Sequence, residues 1–262
     1  AIKAAKHLDV PLDIVTVDSN QMAADLEYMV AQLDEPLADP AALCVLYISQ
    51  LAKKQGMKVL LSGAGGDDLF TGYSRHYGVL IDNYLSKLPI QLRSLIEKKS
   101  QKLDLRKTLN RRIAKLFDGS NLDSHERLIN YFKWTPSLEL SSLYSNDFAK
   151  KILDIDSSKP MRNFLEQLPS EVTDLERILS LEQRFFLTDH NLNYTDKMSM
   201  AAGVEVRVPF LDIDLVNFAA RIPDKYKQRG KVGKWALKKA MEKRLPSEII
   251  YRPKSGFGPS LR

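Results

Sequence analysis

The sequence predicts an α/β fold, with a parallel sheet of strands covered by helices near the N-terminus and a largely helical C-terminal part. Three observations carry this. Two short β-rich runs, "LDIVTV" (Leu12 to Val17) and "KVLLS" (Lys58 to Ser62), are separated by two helical patterns. Apolar strands joined through helices pair in parallel, in a sheet with both faces covered. From about Ser74 onward strand signals nearly vanish, and helical periodicity dominates to the end of the chain.

The elements follow in order. Ala1 to Leu8 reads as a helix end and Leu12 to Val17 as a strand. Asp18 and Ser19 can cap a helix over roughly Gln21 to Leu33, because their side-chain oxygens accept from the first unpaired helical N–H groups. "DEPLADP" is a turn. Asp39-Pro40 then starts a second helix, with an acidic cap and proline in the first turn, and that helix should stop at Gly56. Lys58 to Ser62 follows as a strand. Far downstream, "LKKAMEKRLPSEII" reads as a helix ended by Pro246. With no repeat or low-complexity linker, the chain reads as a single domain, 1–80 being the α/β portion and 81–262 the mainly helical portion.

Composition narrows the function classes. Across 262 residues, 44% hydrophobic and 27% charged content is ordinary for a globular protein. No apolar run approaches the roughly 20 residues that span a bilayer, so a membrane protein is not expected. The N-terminus lacks the layout of a signal peptide and resembles the middle of a helix, as if cut from a longer chain. One cysteine, Cys44, rules out an internal disulfide and fits a reducing, cytoplasmic setting; its apolar helical surroundings read as core. The four histidines show no metal-type spacing.

The net charge of +6 is concentrated. Lys87 to Lys115 holds ten Lys/Arg against Glu97 and Asp104, an excess of eight that leaves the remainder near −2. Such a run could meet nucleic acid or an acidic partner. Its apolar residues recur at helical spacing, however, so we read amphipathic helices with solvated basic faces and expect no nucleic-acid partner.

The candidate chemistry lies in "VLLSGAGGDDLFTGY" (Val59 to Tyr73). In an open parallel sheet, ligands bind beyond the carboxyl ends of the strands, and Ser62 to Gly66 occupies such an end. Glycine lets backbone N–H groups approach a nucleotide or phosphate closely. Asp67 and Asp68 could hold Mg²⁺, a hard ion that takes oxygen ligands. From the residues alone, a glycine turn with a helix-capping Asp fits equally well. The spacing is neither a Walker A loop nor a dinucleotide fingerprint.

Four blocks in order change the balance: "DEPLADPAA" (Asp34 to Ala42), "VLLSGAGGDDLFTGY", "DKMSMAAGVEVRVPFLD" (Asp196 to Asp212) and "RPKSGFG" (Arg252 to Gly258). Together they resemble the C-terminal synthetase domain of glutamine-hydrolysing asparagine synthetases, over nearly the whole chain. The resemblance implies an ATP-pyrophosphatase type of fold. It also implies a two-step ligase reaction, in which Mg·ATP adenylates the side-chain carboxylate of aspartate, releasing pyrophosphate. Ammonia from glutamine, made in an N-terminal glutaminase domain, then displaces AMP.

By the same resemblance, Ser62, Gly63 and Gly65 contact the nucleotide and Asp67 binds Mg²⁺. Lys254 neutralises the pyrophosphate, and Lys234 in "KVGKWALKK" is a second candidate for that task. Arg207 and Glu205 are expected to be structural, as an extended segment or a buried ion pair holding the site wall. Asp196 and Ser199 are candidates for ligand contact or support.

Two departures stand out. The family's SGGxDS pyrophosphate loop would precede this chain, so the fragment is expected to be inert by itself. In addition, Ala64 and Asp68 replace the acids of the family's SGEGxDE. Since Ala64 can neither act as a base nor guide the incoming nitrogen electrostatically, a different acceptor carboxylate (a sugar or peptide acid) is an alternative. A non-catalytic binding or scaffold relative is a second one. The resemblance is compatible with a homodimer.

Overall fold

The computed structural model of the chain describes residues 1–104, 106–135, 140, 142–253 and 256. These fall into two compact units, one formed by 1–72 with 182–262 and the other by 73–181, so the chain leaves the first unit at Gly72 and returns to it at Glu182.

The first segment begins with α1 (Ile2–Leu8). The strand expected at 12–17 does not form; those residues pair with no ladder, and Leu12, Ile14 and Val15 are exposed. β-propensity describes fit to a pleated, half-buried surface, and without a neighbouring strand it has nothing to act on. Asp18 does cap the next helix, its carboxylate accepting from the Gln21 N–H at 2.8 Å. The single helix expected over Gln21 to Leu33 is instead two, α2 (Ser19–Ala24) and α3 (Leu26–Ala31). The break at Asp25 is stabilised by that residue's side chain, which accepts from the Tyr47 hydroxyl at 2.9 Å and from Gln21 Nε2 at 2.6 Å. Helix α4 (Ala41–Lys54) starts one residue later than expected, with Pro40 and not Asp39 at the N-cap; Asp39 Oδ1 still accepts from the Ala41 N–H at 2.9 Å, and the helix ends before Gly56. Strand β1 (Val59–Leu61) follows, then the short helix α5 (Gly66–Phe70).

The second unit is helical: α6 (Ser74–Leu85), α7 (Ile90–Ser100), α8 (Thr108–Phe117), α9 (Ser124–Asn130), α10 (Asn146–Lys151), α11 (Lys159–Glu166) and α12 (Asp174–Leu181). Its core is Val79, Leu128, Ile129, Leu165, Leu175 and Ile178, all nearly inaccessible. Beside them Arg127 lies against Asp82 at 2.8 Å, and the Tyr131 hydroxyl donates to the same carboxylate at 2.6 Å. The basic run does form helices, α7 packing on α8, although Leu92, Leu95, Leu103 and Leu109 remain exposed.

On return, an eleven-residue π-helix (Glu182–Leu192) leads into α13 (Asn193–Ala201) and β2 (Glu205–Arg207). A 3₁₀ turn (Pro209–Leu211) precedes α14 (Ile213–Arg221) and α15 (Asp224–Lys227). The hairpin β3 (Gln228–Arg229) and β4 (Val232–Gly233) then precedes α16 (Trp235–Met241) and α17 (Ser247–Ile250). Helix α16 stops short of the expected Pro246, which instead starts α17.

Strand β2 pairs in parallel with β1, Leu60 opposite Val206, so the sheet among the described residues joins segments far apart in sequence. Two clusters hold this unit. In the larger, Met29, Leu43, Leu46 and Tyr47 of α3 and α4 pack on Tyr194 and Met198 of α13. In the smaller, Leu69 and Phe70 of α5 pack on Ala219 of α14, with Phe210, Leu211 and Leu237 around them.

Candidate active site

Beyond β1 the ladder is continued for one more residue, the Ser62 N–H donating to the Arg207 carbonyl at 2.8 Å. Ser62 Oγ then accepts from the Ala64 N–H at 3.2 Å, a local turn of the kind serine favours. Gly63 is exposed, with open space around its Cα, whereas Gly65 (φ +84°) is buried against Leu211 and Phe210. The loop is therefore anchored at both ends and open in the middle.

Asp67 and Asp68 begin α5 side by side and part at once. Asp68 is 1% exposed and turns inward, where its charge adds to burial and Asp39 in raising the Tyr194 hydroxyl. Asp67 stays partly exposed and folds over Gly72, where a Cβ would stand 1.7 Å from its Oδ1, a separation no side chain tolerates. Oδ1 of Asp67 lies 2.5 Å from Nζ of Lys234. The structure thus brings together two residues 167 positions apart that the sequence nominated separately.

The backbone at Lys234 explains how. The residue sits in the left-handed region (φ +55°), its N–H donating to the Phe70 carbonyl at 2.7 Å and to Thr71 Oγ1 at 3.3 Å. Gly233 before it is pressed on Thr71, whose carbonyl oxygen would be 2.0 Å from a Cβ there. One helical turn on, the Lys238 ammonium is pulled below its ordinary range by burial and by the charge of Lys234, with Asp67 acting in the opposite sense.

A pairing that sequence reasoning missed lies in the same unit. His190 of the π-helix meets Asp39 at 2.9 Å, using the carboxylate oxygen that does not bond the Ala41 N–H. Burial pushes the Asp39 carboxyl up, but the bonds from His190 and the Ala41 N–H outweigh it and hold the carboxyl below its usual range. Tyr194, edge-on to His190, is pushed up to about 12 by burial and by the charges of Asp39 and Asp68. The cap signal located Asp39, but a π-helix has no sequence periodicity that would have located its partner. Cys44, expected in the core, is instead half-buried beside it, and burial and the charge of Asp39 raise its thiol.

The remaining candidates separate. Arg207 and Glu205 pair at 2.8 Å but on the exposed surface of β2, so they form the expected extended segment and not a buried pair. Ser199 is fully buried, its hydroxyl bonded to the Asp196 carbonyl at 3.1 Å, while Asp196 itself is exposed. Lys254 lies outside the described residues. Among the described residues no cluster of three His, Cys, Asp or Glu side chains could hold a metal ion, and no helix is long and apolar enough to cross a membrane.

A single carboxylate does fit Mg²⁺, which keeps several waters and is bound through one or two carboxylates plus substrate phosphates. Asp67 is a hard oxygen donor already paired with a cation, beyond the carboxyl end of a parallel strand. The arrangement suits a polyphosphate and its counter-ion.

Comparison with known proteins identifies the family. The putative glutamine-hydrolysing asparagine synthetase of Mycobacterium bovis is 30% identical over the whole chain, which spans 39% of that protein. Asparagine synthetase 1 of Bacillus subtilis is 28% identical over 91% of the chain and 36% of its own length. The amidase chyE of Penicillium rubens is 24% identical over 99% of the chain and 41% of its own length. The chain thus spans about two-fifths of these relatives. No solved structure matches it. The asparagine synthase family profile matches residues 1–262, and the chain belongs to that family.

Proposed function

We propose that the chain is the synthetase part of an ATP-dependent amide-forming ligase that adenylates a carboxylate, aspartate in the first instance. Ammonia derived from glutamine then yields asparagine, AMP and pyrophosphate. The observation that carries this reading is the Asp67–Lys234 pair at the carboxyl end of the parallel strand, reached from opposite ends of the chain.

The carboxylate oxygen attacks the α-phosphorus of ATP and pyrophosphate departs; ammonia then attacks the acyl carbon and AMP departs. Negative charge accumulates on the leaving pyrophosphate, so preorganised cations are what the site must supply. By the resemblance Lys254 would supply one such charge, and Lys234, paired with Asp67, is the second candidate, with Lys238 one turn further along its helix. Mg²⁺, when bound at Asp67, would neutralise further phosphate charge. Gly63, exposed between the engaged N–H groups of Ser62 and Ala64 and with Gly65 as the loop's anchor, is where the backbone would approach the nucleotide. Arg207 and Glu205 brace the strand from outside, Ser199 secures α13 internally, and exposed Asp196 is the member of that pair that can reach a ligand.

Ala64 favours one alternative, the same adenylation on another acid, because its methyl offers the incoming nitrogen no base. The deciding experiment is ATP–pyrophosphate exchange by the longest natural form of the protein, with aspartate and then a panel of sugar and peptide acids. Aspartate-dependent exchange supports asparagine formation, and exchange with another acid supports the alternative. No exchange with any acid, from folded protein with Mg²⁺, overturns the ligase reading.

A further inference from the structure

Thr71 is an anomaly within the site. It is 1% exposed, β-branched and held at φ +64°. A β-branched residue in the left-handed region is a genuine outlier, and glycine would adopt that conformation without strain. Strained backbone persists where surrounding interactions over-determine it, and such positions cluster at functional sites. Something about the threonine side chain must offset the strain.

Its hydroxyl shows what. Oγ1 donates to the Lys227 carbonyl at 2.8 Å, with the Phe70 carbonyl at 2.5 Å as a second acceptor, and itself accepts from the Lys234 N–H at 3.3 Å. Lys227 precedes β3 and Lys234 follows β4, so one hydroxyl ties both ends of the hairpin to the C-terminus of α5. Asp67 sits at the other end of the same short helix, and the Gly72 N–H closes back on the Asp67 carbonyl at 2.7 Å. Lys234 in turn is a non-glycine residue in the left-handed region, and in that conformation its ammonium reaches Asp67.

We infer that Thr71 is a positioning residue: its hydroxyl, together with the Phe70 carbonyl that accepts from the same N–H at 2.7 Å, holds Lys234 in the left-handed conformation that sets the lysine ammonium on Asp67. The catalytic relevance of this rests on the ligase reading above, but the positioning itself does not. Thr71, 1% exposed, presents almost no surface to a ligand and would act through Lys234. A threonine serving only local stability would leave Lys234 equally reactive in every variant that folds.

The test separates the two. Lys234 acylation by an amine-reactive N-hydroxysuccinimide ester is measured by mass spectrometry on folded protein, for the natural sequence, Thr71→Ser and Thr71→Gly. Serine keeps the hydroxyl and should label Lys234 at the natural rate. Glycine removes it and should raise the rate about five- to ten-fold, the factor that one lost hydrogen bond represents. Should Thr71→Gly fail to fold, Thr71→Asn, which tolerates the left-handed region but carries its polar group one bond further out, takes its place with the same expectation. Equal labelling in all variants overturns the inference, as does faster labelling in Thr71→Ser. ATP–pyrophosphate exchange on the same set is the separate readout. If labelling ranks as expected and no variant exchanges, the ligase reading fails and the positioning stands. If exchange is normal while labelling is flat, the positioning fails alone.

Discussion

Each unit of the molecule contains a carboxylate paired with a basic side chain, and the two pairs are built in opposite ways. In the helical unit Asp82 and Arg127 are 16% and 10% exposed at their side chains and lie on regular helices. Their other partners are in place: Tyr131 donates to Asp82, and Arg127 also donates to the carbonyls of Asp118 and Leu116. In the α/β unit Asp67 and Lys234 are 26% and 32% exposed, and the lysine reaches its partner only from a left-handed backbone. The first pair is enclosed by its own fold. The second stands partly open, between glycines that let it close. Charge pairing alone therefore does not identify a site; accessible charge on strained backbone is the more telling combination.

Breaking the enclosed pair should have the larger effect on stability. Asp82→Ala leaves a buried guanidinium uncompensated and should destabilise the protein by about 3–5 kcal/mol, read by denaturant unfolding. Exchange activity per folded molecule should be unchanged. A loss below about 1 kcal/mol would place this pair with ordinary surface pairs and remove the contrast.

Lys234→Met should reverse the pattern. Unfolding free energy should move by less than about 1 kcal/mol, as for a partly exposed pair. Exchange should fall about 100-fold, the scale of one lost preorganised charge contact in a transition state. A variant that loses stability and activity together would make the open pair structural as well.

Elements whose information is local were legible in the sequence. The Asp18 cap, the Asp39 bond to the first turn of α4, the stop at Gly56 and strand β1 each depend on a few adjacent residues, and each formed, although Pro40 took the cap position expected of Asp39. The strand expected at 12–17 failed because pairing is a non-local property that its own residues cannot supply. Asp25 broke a helix by bonding Tyr47 on the next one, again a partner that periodicity does not reveal. At the site, motif resemblance nominated Asp67 and Lys234, but their contact involves Thr71, Gly72 and Gly233, which the motif reading did not single out. His190 was passed over because a histidine with no metal spacing carries no signal until the π-helix sets it on Asp39.

The smallest effect concerns that last pair. The Asp39 carboxyl is held below its ordinary value of 3.8, so its contribution is fully present above about pH 4 and is lost as the pH falls through the lowered value. Thermal unfolding from pH 6 to pH 2 should show a segment of falling stability at the acid end, shallower in Asp39→Asn. Identical profiles for the two proteins would show that the His190 contact does not stabilise the ionised carboxylate.

The most direct measurement is ATP–pyrophosphate exchange by Asp67→Asn against the natural sequence, in the longest natural form of the protein, with folding checked alongside. An account in which Asp67 anchors the polyphosphate and its cation predicts a fall of about 100-fold or more with the melting temperature nearly unchanged. Exchange within about two-fold of the natural protein, well inside the roughly 1.4 kcal/mol that a ten-fold change represents, would contradict it.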